Sequence, residues 1–395
     1  MKICGVVAEY NPFHNGHAWQ LAQARALSGC DYMIACMGGG LSQRGEVMLL
    51  DKRTRARMAL EGGADLVVEL PALFALRPAD AFARGGVLTL AGLGVDSLSF
   101  GCETDDMALL SALARALDEE SAALSDETRR GLAEGKSHAR ARGEALEKLY
   151  NLPSGFLNRP NTALALEYMR AVSRLHRPVA VHPVKRQGDY HDEALGRFAS
   201  ASAIRAAIEK SGVEAVRSAM PDSAFHVLDE CLGEGRFARM ERLDSLLLYR
   251  LRAAKSDELA ALCDVSEGLD RLFIKHAEAA LSREDLLSRV KSKRYTHARL
   301  SRLCAQALLN LTREDVLAHP VPEYARVLGF RRDAAPLLTH LKGTSSLPLV
   351  TDALRLRESA LFRFDRVASD LQALAMENPA FRAAGRDFTE QIVIV

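Results

Sequence analysis

Two histidines three positions apart, His14 and His17, are the residues of this sequence best placed to do chemistry. A short apolar run, Ile3 to Ala8, predicts a buried parallel strand, and a helical pattern opens at the first histidine. Residues three apart share one helix face, so both imidazoles would face a ligand at the helix N-terminus. Free N–H groups and the helix dipole bind phosphate there, and Gly16 allows close approach to the backbone. These residues therefore predict a phosphate or nucleotide site at the carboxyl edge of a parallel sheet.

The tetrad from His14 to His17 resembles the His-x-Gly-His signature of the nucleotidylyltransferase superfamily, whose members cleave ATP between the α and β phosphates. A lone histidine is usually structural or on the surface. This tetrad stands directly between a strand and a helix, which favours nucleotide binding. The resemblance implies an α/β fold with a Rossmann-like nucleotidylyltransferase parallel sheet, joined to a mainly helical C-terminal domain.

A glycine-rich loop, residues 38–46, follows the second predicted strand, Tyr32 to Met37. It opens with three glycines that permit close approach to a ligand, and Arg44 can reach an anion from between small residues. It lacks the Gly-Lys-Ser/Thr ending of a P-loop, which excludes Walker chemistry. Because it leaves the same sheet edge as the histidines, we predict a substrate loop that includes Gly39, Gln43 and Arg44. The alternative is a flexible surface loop.

A helix rich in cations follows this loop. Asp51 is expected to cap it, and it runs from Lys52 to Glu61. Most of its four cations are expected to form a solvated face: Lys52, Arg53, Arg55 and Arg57. Lys52 is nearest to the glycine loop, so we predict a catalytic role for it.

Three more strands are predicted at Asp65 to Leu70, Ser97 to Gly101 and Val179 to Val184. Gly101 ends one of them at the carboxyl edge, and Arg186 follows the last directly. The pattern between the last two strands is helical. These strands complete a parallel sheet with its ligand edge near the two histidines.

Ser200, Ser202 and Arg205 stand at the start of another predicted helix. The segment is similar to the Ser-Ser/Thr-x-x-Arg sequence that holds the β and γ phosphates in nucleotidylyltransferases. Hydroxyl groups at a helix start with an arginine behind them can bind phosphate oxygens. The alternative is that the serines only cap the helix.

Beyond Pro221 the strand signals stop and the pattern predicts helices. We therefore expect a Rossmann-like ATP-binding catalytic domain at residues 1–215 and a mainly helical domain at residues 216–395. The tail, Gln391 to Val395, could add a short strand whose place in the fold is not predicted.

A basic stripe with interleaved aromatic rings lies in this helical part, on a helix predicted from Arg283 to Leu309. Basic residues for phosphates and an aromatic ring for a base are typical of RNA binding. The alternative is a solvated helix face. The candidate RNA contacts are Lys293, Arg294, Tyr295, Arg299 and Arg302.

The composition sets limits on what the chain can be. At 395 residues it is long enough for two or three domains, and its net charge of +1 means that any nucleic-acid contact must come from a local patch. Glu69 splits the longest apolar stretch, Leu66 to Leu76, and no signal peptide is evident, so no membrane association is expected. The seven cysteines form no Cys-x-x-Cys pair, which argues against disulfides and a zinc site and makes the cytoplasm the expected location.

Taken together, the motifs resemble the bacterial tRNA(Met) cytidine acetate ligase family from end to end. The matching segments are Val7 to His17, Gln43 to Glu46, Asp51-Lys52, Pro160-Asn161, Lys185-Arg186, Ser200 to Arg205, Ser266 to Leu269 and Lys293 to Thr296. The family usually has Ser-Gly-Asn-Phe where this chain has Gly38-Gly39-Gly40-Leu41.

The resemblance implies that ATP and acetate form an acetyl-adenylate, and that the acetyl group passes to N4 of the wobble cytidine of elongator tRNA(Met). Mg²⁺ is expected to assist, although no carboxylate cluster marks its site, and the oligomeric state stays open. The helical domain would bind the tRNA. The ATP site implied by the family comprises Val7, Ala8, Glu9, Tyr10, Asn11, Pro12, Phe13, His14, Asn15, Gly16, His17, Ala18, Trp19, Gln20, Gly101, Asn161 and Arg186.

Two other functions are compatible with the residues. A small-molecule adenylyltransferase would join AMP to a phosphate-bearing metabolite such as nicotinate mononucleotide or phosphopantetheine. A non-catalytic RNA-binding protein would keep the nucleotide fold without the reaction. ATP-dependent acetylation of tRNA distinguishes the ligase from both.

Overall fold

An eight-stranded mixed sheet forms the centre of the protein, in a computed structural model that describes residues 1–119, 121–136, 138–187, 196–266, 268–292 and 294–395. Its strands are β1 (Ile3–Ala8), β2 (Tyr32–Gly38), β3 (Leu66–Leu70), β4 (Ser97–Cys102), β5 (Ala180–Lys185), β6 (Ala325–Phe330), β7 (Leu349–Val350) and β8 (Val393–Ile394).

The strand order places a ligand site at the end of β1. Across the sheet the strands run β5-β4-β1-β2-β3-β6-β7, and β8 pairs with β6 outside this path. Strands β1 to β5 are parallel, so their carboxyl ends meet at one edge. Because β1 lies between β2 and β4, the chain switches direction across the sheet at β1, and ligands bind at such switch points. The predicted α/β architecture is confirmed.

Helices cover both faces of the sheet and build the region between β5 and β6. They are α1 (Asn15–Ser28), α2 (Lys52–Glu61), α3 (Ala72–Ala75), α4 (Ala79–Gly92), α5 (Met107–Asp118), α6 (Ala122–Ala133), α7 (His138–Leu149), α8 (Pro160–Ser173), α9 (Ala201–Ser211), α10 (Asp222–Gly233), α11 (Asp244–Ala253), α12 (Ser256–Ala260), α13 (Leu269–Ala277), α14 (Arg283–Val290), α15 (His297–Leu309), α16 (Arg313–Ala318), α17 (Ala335–Thr344), α18 (Ala360–Leu374) and α19 (Arg386–Thr389). Among the residues described, no helix is both long and apolar enough to cross a membrane.

The apolar side chains form separate buried cores. Strands β1 to β3 are buried on both faces of the sheet, which is usual for parallel strands covered by helices. Helices α11 to α15 enclose a core of their own, which includes Leu247, Phe273 and Leu303. This helical part therefore has the internal packing of a distinct subdomain.

The prediction that strands end at Pro221 is wrong, because β6, β7 and β8 complete the sheet. Strand β6 pairs antiparallel with β3, and Arg326 stands opposite Glu69 in that register. Arg326 interrupts the apolar pattern of β6, yet it is only 3 % exposed, because its guanidinium pairs with Glu69 at 2.9 Å. The suggestion of a strand near the C-terminus is confirmed, since Val393–Ile394 pairs with β6. The division of the chain at residue 215 stays a prediction.

The predicted helix from Arg283 to Leu309 is two helices, α14 and α15. The Ser282 hydroxyl caps the first, and the Thr296 hydroxyl caps the second by accepting from the Arg299 N–H. A threonine ahead of an apolar run is a helix-start signal. Tyr295 therefore precedes the helix and does not share a helix face with Arg299.

Candidate active site

His14 and His17 cap helix α1 directly at the switch point of the sheet. The Nδ1 atom of His14 accepts from the Gly16 N–H at 3.0 Å, and Nδ1 of His17 accepts from the His14 N–H at 3.3 Å. A neutral imidazole whose Nδ1 accepts carries its proton on Nε2. The cap thus fixes the tautomer of both rings and leaves each with one N–H donor for a ligand.

Both rings are held neutral. Their centroids lie 3.7 Å apart in a stacked arrangement. Burial, aided by the positive charge of Arg186, lowers the pKa of His14 to about 3. Burial, His14 and Arg186 also lower the pKa of His17 well below its usual value. The pair therefore offers hydrogen bonds to phosphate without positive charge.

This neutrality makes the protein less stable in mild acid. The unfolded histidines protonate near pH 6.5 while the folded pair does not, so stability is complete above that pH and falls as the pH drops below it. When the pH falls from 7 to 5.5, the two histidines together should lower the free energy of unfolding by about 2–3 kcal/mol. Urea unfolding of the wild type and of a His14→Asn/His17→Asn variant at both pH values measures this. Equal losses in the two proteins would contradict it.

The aromatic residues of the β1–α1 turn hold the histidines in place. The Tyr10 ring meets the His17 ring edge-on with centroids 4.8 Å apart, and the Phe13 ring lies 5.6 Å from it. An ideal Cβ on Gly16 would lie 2.9 Å from Cε1 of His14, so a side chain there would push the ring away. The predicted tetrad is thus brought together as one packed unit.

Asn161 and Arg186 meet on the β4–β5 side of the same edge. Arg186 Nη1 donates to Asn161 Oδ1 at 3.4 Å, and the Arg186 N–H bonds to the carbonyl of β4's last residue, Cys102. Glu103 accepts from Asn161 Nδ2 at 2.8 Å and from the Thr162 hydroxyl at 2.6 Å. Glu103 thus orients Asn161, and it could not be predicted from the sequence because its loop carries no recognisable motif.

Gly101 lies beside the contact between Asn161 and Arg186, but the space around it does not require a glycine. An ideal Cβ on it would lie 3.6 Å from Cγ of Arg186, which is ordinary van der Waals contact. Any role of Gly101 in ligand binding would therefore rest on its backbone.

The predicted phosphate segment at the start of α9 docks against the β1–α1 turn. The Ser200 hydroxyl caps α9 and lies 3.0 Å from the Ser202 hydroxyl. Arg205 Nη1 donates to the Asn11 carbonyl at 2.8 Å, and Asn15 Nδ2 donates to the Arg197 carbonyl at 3.0 Å. The predicted segment therefore lies next to the histidine pair.

Arg55 joins the loops around the site, a role that its place in the sequence does not predict. It was expected on a solvated face, yet its side chain is fully buried. Its guanidinium donates to the carbonyl groups of Glu9, Gly38 and Gly39, and to that of Leu50. One side chain thus joins the end of β1, the glycine loop and the segment that leads into α2.

Lys52, for which a catalytic role is predicted, is part of a buried network of charged side chains. Its Nζ lies 2.7 Å from Glu69 Oε1 and 2.8 Å from Asp387 Oδ1, and Arg326 also pairs with both carboxylates. Lys52 is 3 % exposed. These contacts hold Lys52 in a buried charge network, and a catalytic role for it stays a prediction.

The glycine loop packs closely against β3 and against α18 of the C-terminal half. The alternative of a flexible surface loop is therefore not supported. An ideal Cβ on Gly39 would lie 2.7 Å from Glu69 Oε1, and one on Gly40 would lie 2.6 Å from the Ala368 carbonyl of α18. Gly38 has no such close neighbour. The close packing explains a glycine at position 40 where the resembling family has asparagine.

The other predicted loop residues are anchored as well. The Gln43 N–H donates to Glu9 Oε1 at 2.5 Å, and its side-chain Nε2 donates to the Arg77 carbonyl at 2.8 Å. The Arg44 carbonyl accepts from the Ser301 hydroxyl of α15. The loop is therefore attached to the helical subdomain beside the site.

The basic stripe does not form a continuous surface. Tyr295 is 6 % exposed and belongs to the core of α11 to α15, and the Arg299 guanidinium lies 5.4 Å from its ring centroid. Arg302 is 7 % exposed and pairs with Asp264 at 3.1 Å. Stacking of a base on Tyr295 and a phosphate contact from Arg302 are therefore not supported, because both side chains are used in packing.

The remaining members of the stripe differ in their surroundings. Arg294 is exposed, whereas Arg299 donates to the Ser266 hydroxyl at 2.6 Å. Lys293 lies outside the described residues.

No group of three or more His, Cys, Asp or Glu side chains is arranged to hold a metal ion in the part of the chain that the structure describes.

Comparison with known proteins agrees with this geometry. Residues 1–387 match the family model of the HIGH Nucleotidyl Transferases. Relatives named tRNA(Met) cytidine acetate ligase are 35 % identical over 403 residues in Thermoanaerobacter sp. and 34 % identical over 416 residues in Acetivibrio thermocellus, with 100 % of each chain covered. A crystal structure of Thermotoga maritima TmcAL bound with alpha-thio ATP superposes with a TM-score of 0.90 at 32 % identity, covering 100 % of both chains.

Proposed function

Since this chain belongs to the HIGH Nucleotidyl Transferase family, we propose that it is an ATP-dependent ligase that acetylates the wobble cytidine of elongator tRNA(Met) at N4. One observation carries the proposal: two neutral histidines with fixed Nε2–H donors stand at a helix N-terminus beside Arg186. That arrangement suits the α-phosphate of ATP. Relatives of full length carry the ligase name, and a structural neighbour is bound with an ATP analogue.

In the first step an acetate oxygen attacks the α-phosphorus, and the bond to the oxygen that bridges the α and β phosphates breaks. The products are acetyl-adenylate and pyrophosphate. The reaction needs in-line positioning and stabilisation of charge on the phosphoryl oxygens, and it needs no protein nucleophile. His14 and His17 would donate from Nε2 to these oxygens, with the N-terminus of α1 behind them.

Cations close to the histidine pair would stabilise the pyrophosphate that leaves. Arg186 is positioned by Asn161, and Arg205 by the Asn11 carbonyl. Their charge, together with the Ser200 and Ser202 hydroxyls, would stabilise the leaving group. This division of roles explains why the histidines can remain neutral.

In the second step the exocyclic amine of cytosine attacks the acetyl carbonyl carbon. The bond from that carbon to the phosphate oxygen breaks, AMP leaves, and the nitrogen loses one proton. The mixed anhydride must be kept from water before the base arrives. Gln43 and Arg44 lie on the anchored loop beside the site and are our candidates for contacts to the acyl group and the base.

We further propose that Mg²⁺ arrives on the phosphates of ATP, because the described side chains provide no cluster for it. The RNA would be held jointly by residues 1–215 and by the mainly helical region 216–395, where Arg294 and Arg299 remain candidates. A tRNA substrate places the reaction in the cytoplasm.

Acetate, and not acetyl-CoA, is the expected donor. Incubation with labelled acetate, ATP and total tRNA should give N4-acetylcytidine, and omission of ATP should abolish it. Labelled acetyl-CoA without ATP is the matched control, and full acetylation in that control would disprove adenylate chemistry.

The same assay distinguishes the two other functions. Pyrophosphate release that depends on nicotinate mononucleotide or phosphopantetheine, and not on acetate, would identify a small-molecule adenylyltransferase. Binding of tRNA without any acetylcytidine would identify a non-catalytic RNA-binding protein.

A further inference from the structure

We propose that three cations around the mouth of the site, Arg159, Lys185 and Arg197, bind the backbone phosphates of the RNA substrate. We call these residues the basic rim. The inference rests on the proposed function and specifies which surface receives the RNA.

Contacts of the neighbouring residues place all three rim residues on segments next to the site. Lys185 ends β5 and immediately precedes Arg186. Arg159 immediately precedes α8, whose Asn161 touches Arg186. The Arg197 carbonyl accepts from Asn15 in the first turn of α1. The three residues therefore lie on segments that border the proposed nucleotide site, where an RNA substrate would have to approach.

The three rim residues are exposed cations without a carboxylate partner among the residues that the structure describes. Arg170, further along α8, shows the contrast because it pairs with Asp118 at 2.7 Å. Exposed cations raise the local positive potential, which attracts a polyanion even though the whole chain is near neutral.

Two of the rim side chains are ordered by stacking on aromatic rings, which prepares them to bind phosphate. The Arg159 guanidinium carbon lies 5.6 Å from the Phe156 ring centroid, and that of Arg197 lies 5.7 Å from the Phe198 ring centroid. Stacking uses the face of a guanidinium and leaves its N–H edge available for phosphate. An ordered arginine also loses less entropy on binding.

Phosphate could come from RNA or from ATP. The structure favours RNA because the histidine pair, Arg186 and Arg205 already surround the position proposed for the triphosphate. The rim adds cations outside that set. In the basic stripe, by contrast, Tyr295 and Arg302 are buried by packing and are not available to RNA.

The test uses a rim variant, Arg159→Gln/Lys185→Gln/Arg197→Gln, in the full chain. Its matched control is Arg355→Gln/Arg357→Gln/Arg363→Gln, at three residues that are also exposed and unpaired with carboxylates among the described residues. Two of these also stack on aromatic rings, at 5.4 Å and 4.8 Å. Binding of tRNA is measured at several salt concentrations without ATP, and the KM for ATP is measured by pyrophosphate exchange with acetate.

The rim variant should bind tRNA about tenfold more weakly or worse at low salt, and its log–log salt slope should fall by about 2–3 units. The control should match the wild type, and neither variant should change the KM for ATP. A salt slope equal to that of the control would overturn the proposal. A raised KM for ATP with unchanged tRNA affinity would assign the rim to the nucleotide instead. Failure of the wild type to bind tRNA would reject the proposed function itself, and the rim with it.

Discussion

Replacement of His14 or His17 by asparagine is expected to slow acetyl-adenylate formation by about 10²–10³ while the protein stays folded. Asparagine can cap a helix through its side-chain oxygen, so His14→Asn keeps an acceptor for the Gly16 N–H but loses the Nε2–H donor. The variant thus separates capping from catalysis. The corresponding alanine variants lose both functions and should also be about 1 kcal/mol less stable.

The measurement is acetate-dependent pyrophosphate exchange with ATP, alongside thermal unfolding. His226→Asn, at an exposed histidine of α10, serves as the control and should match the wild type. Near-normal exchange in both site variants would remove the histidine pair from the catalytic site.

Replacement of Arg55 by methionine should have the largest effect on stability, about 3–5 kcal/mol. The change removes the donor that Arg55 provides to buried carbonyl groups at Glu9, Gly38 and Gly39, and a buried group left unsatisfied costs about 1–3 kcal/mol before relaxation. Burial lowers the pKa of Arg55 only to about 10, so the native guanidinium is charged at neutral pH. The loops that it joins carry the site, and a displacement of about 1 Å there can cost about 10²-fold in rate.

The control for this variant lies one half-turn along the same helix. Arg57 has a side chain that is 47 % exposed and pairs with Glu61, so Arg57→Met should change stability by no more than about 0.5 kcal/mol. Arg55→Lys keeps the charge but has a single donor centre, and it should fall between wild type and Arg55→Met in urea unfolding and in pyrophosphate exchange. Equal stability of Arg55→Met and Arg57→Met would show that Arg55 does not hold the loops.

The histidine site can be predicted from sequence because its determinants are local. A strand, a turn and a helix follow each other within 28 residues, and the ligand-facing residues come from that one segment. Ser200 and Arg205 are also predictable, since a helix start with hydroxyls and an arginine has a recognisable pattern.

Arg55 and Lys52 could not be assigned in this way because their partners leave no local pattern. Arg55 binds main-chain carbonyls, which every residue possesses. Lys52 is buried because Glu69 and Asp387 neutralise it, and Asp387 lies more than three hundred residues further along the chain. Strand β6 could not be predicted for the same reason. Arg326 interrupts its apolar pattern, and this arginine fits in a buried strand only because Glu69 stands opposite.

The position of β6 has a consequence for how the protein is made. During translation the free edge of β3 has no partner until residue 330 has left the ribosome, roughly 260 residues after β3 itself. At about 5–20 residues per second this interval is roughly 10–50 s. An unpaired apolar edge invites pairing with other chains, so the nascent protein spends that time exposed to aggregation. Chaperone supply should therefore limit the yield of active enzyme in the cell, and slow codons between β3 and β6 should lower it further.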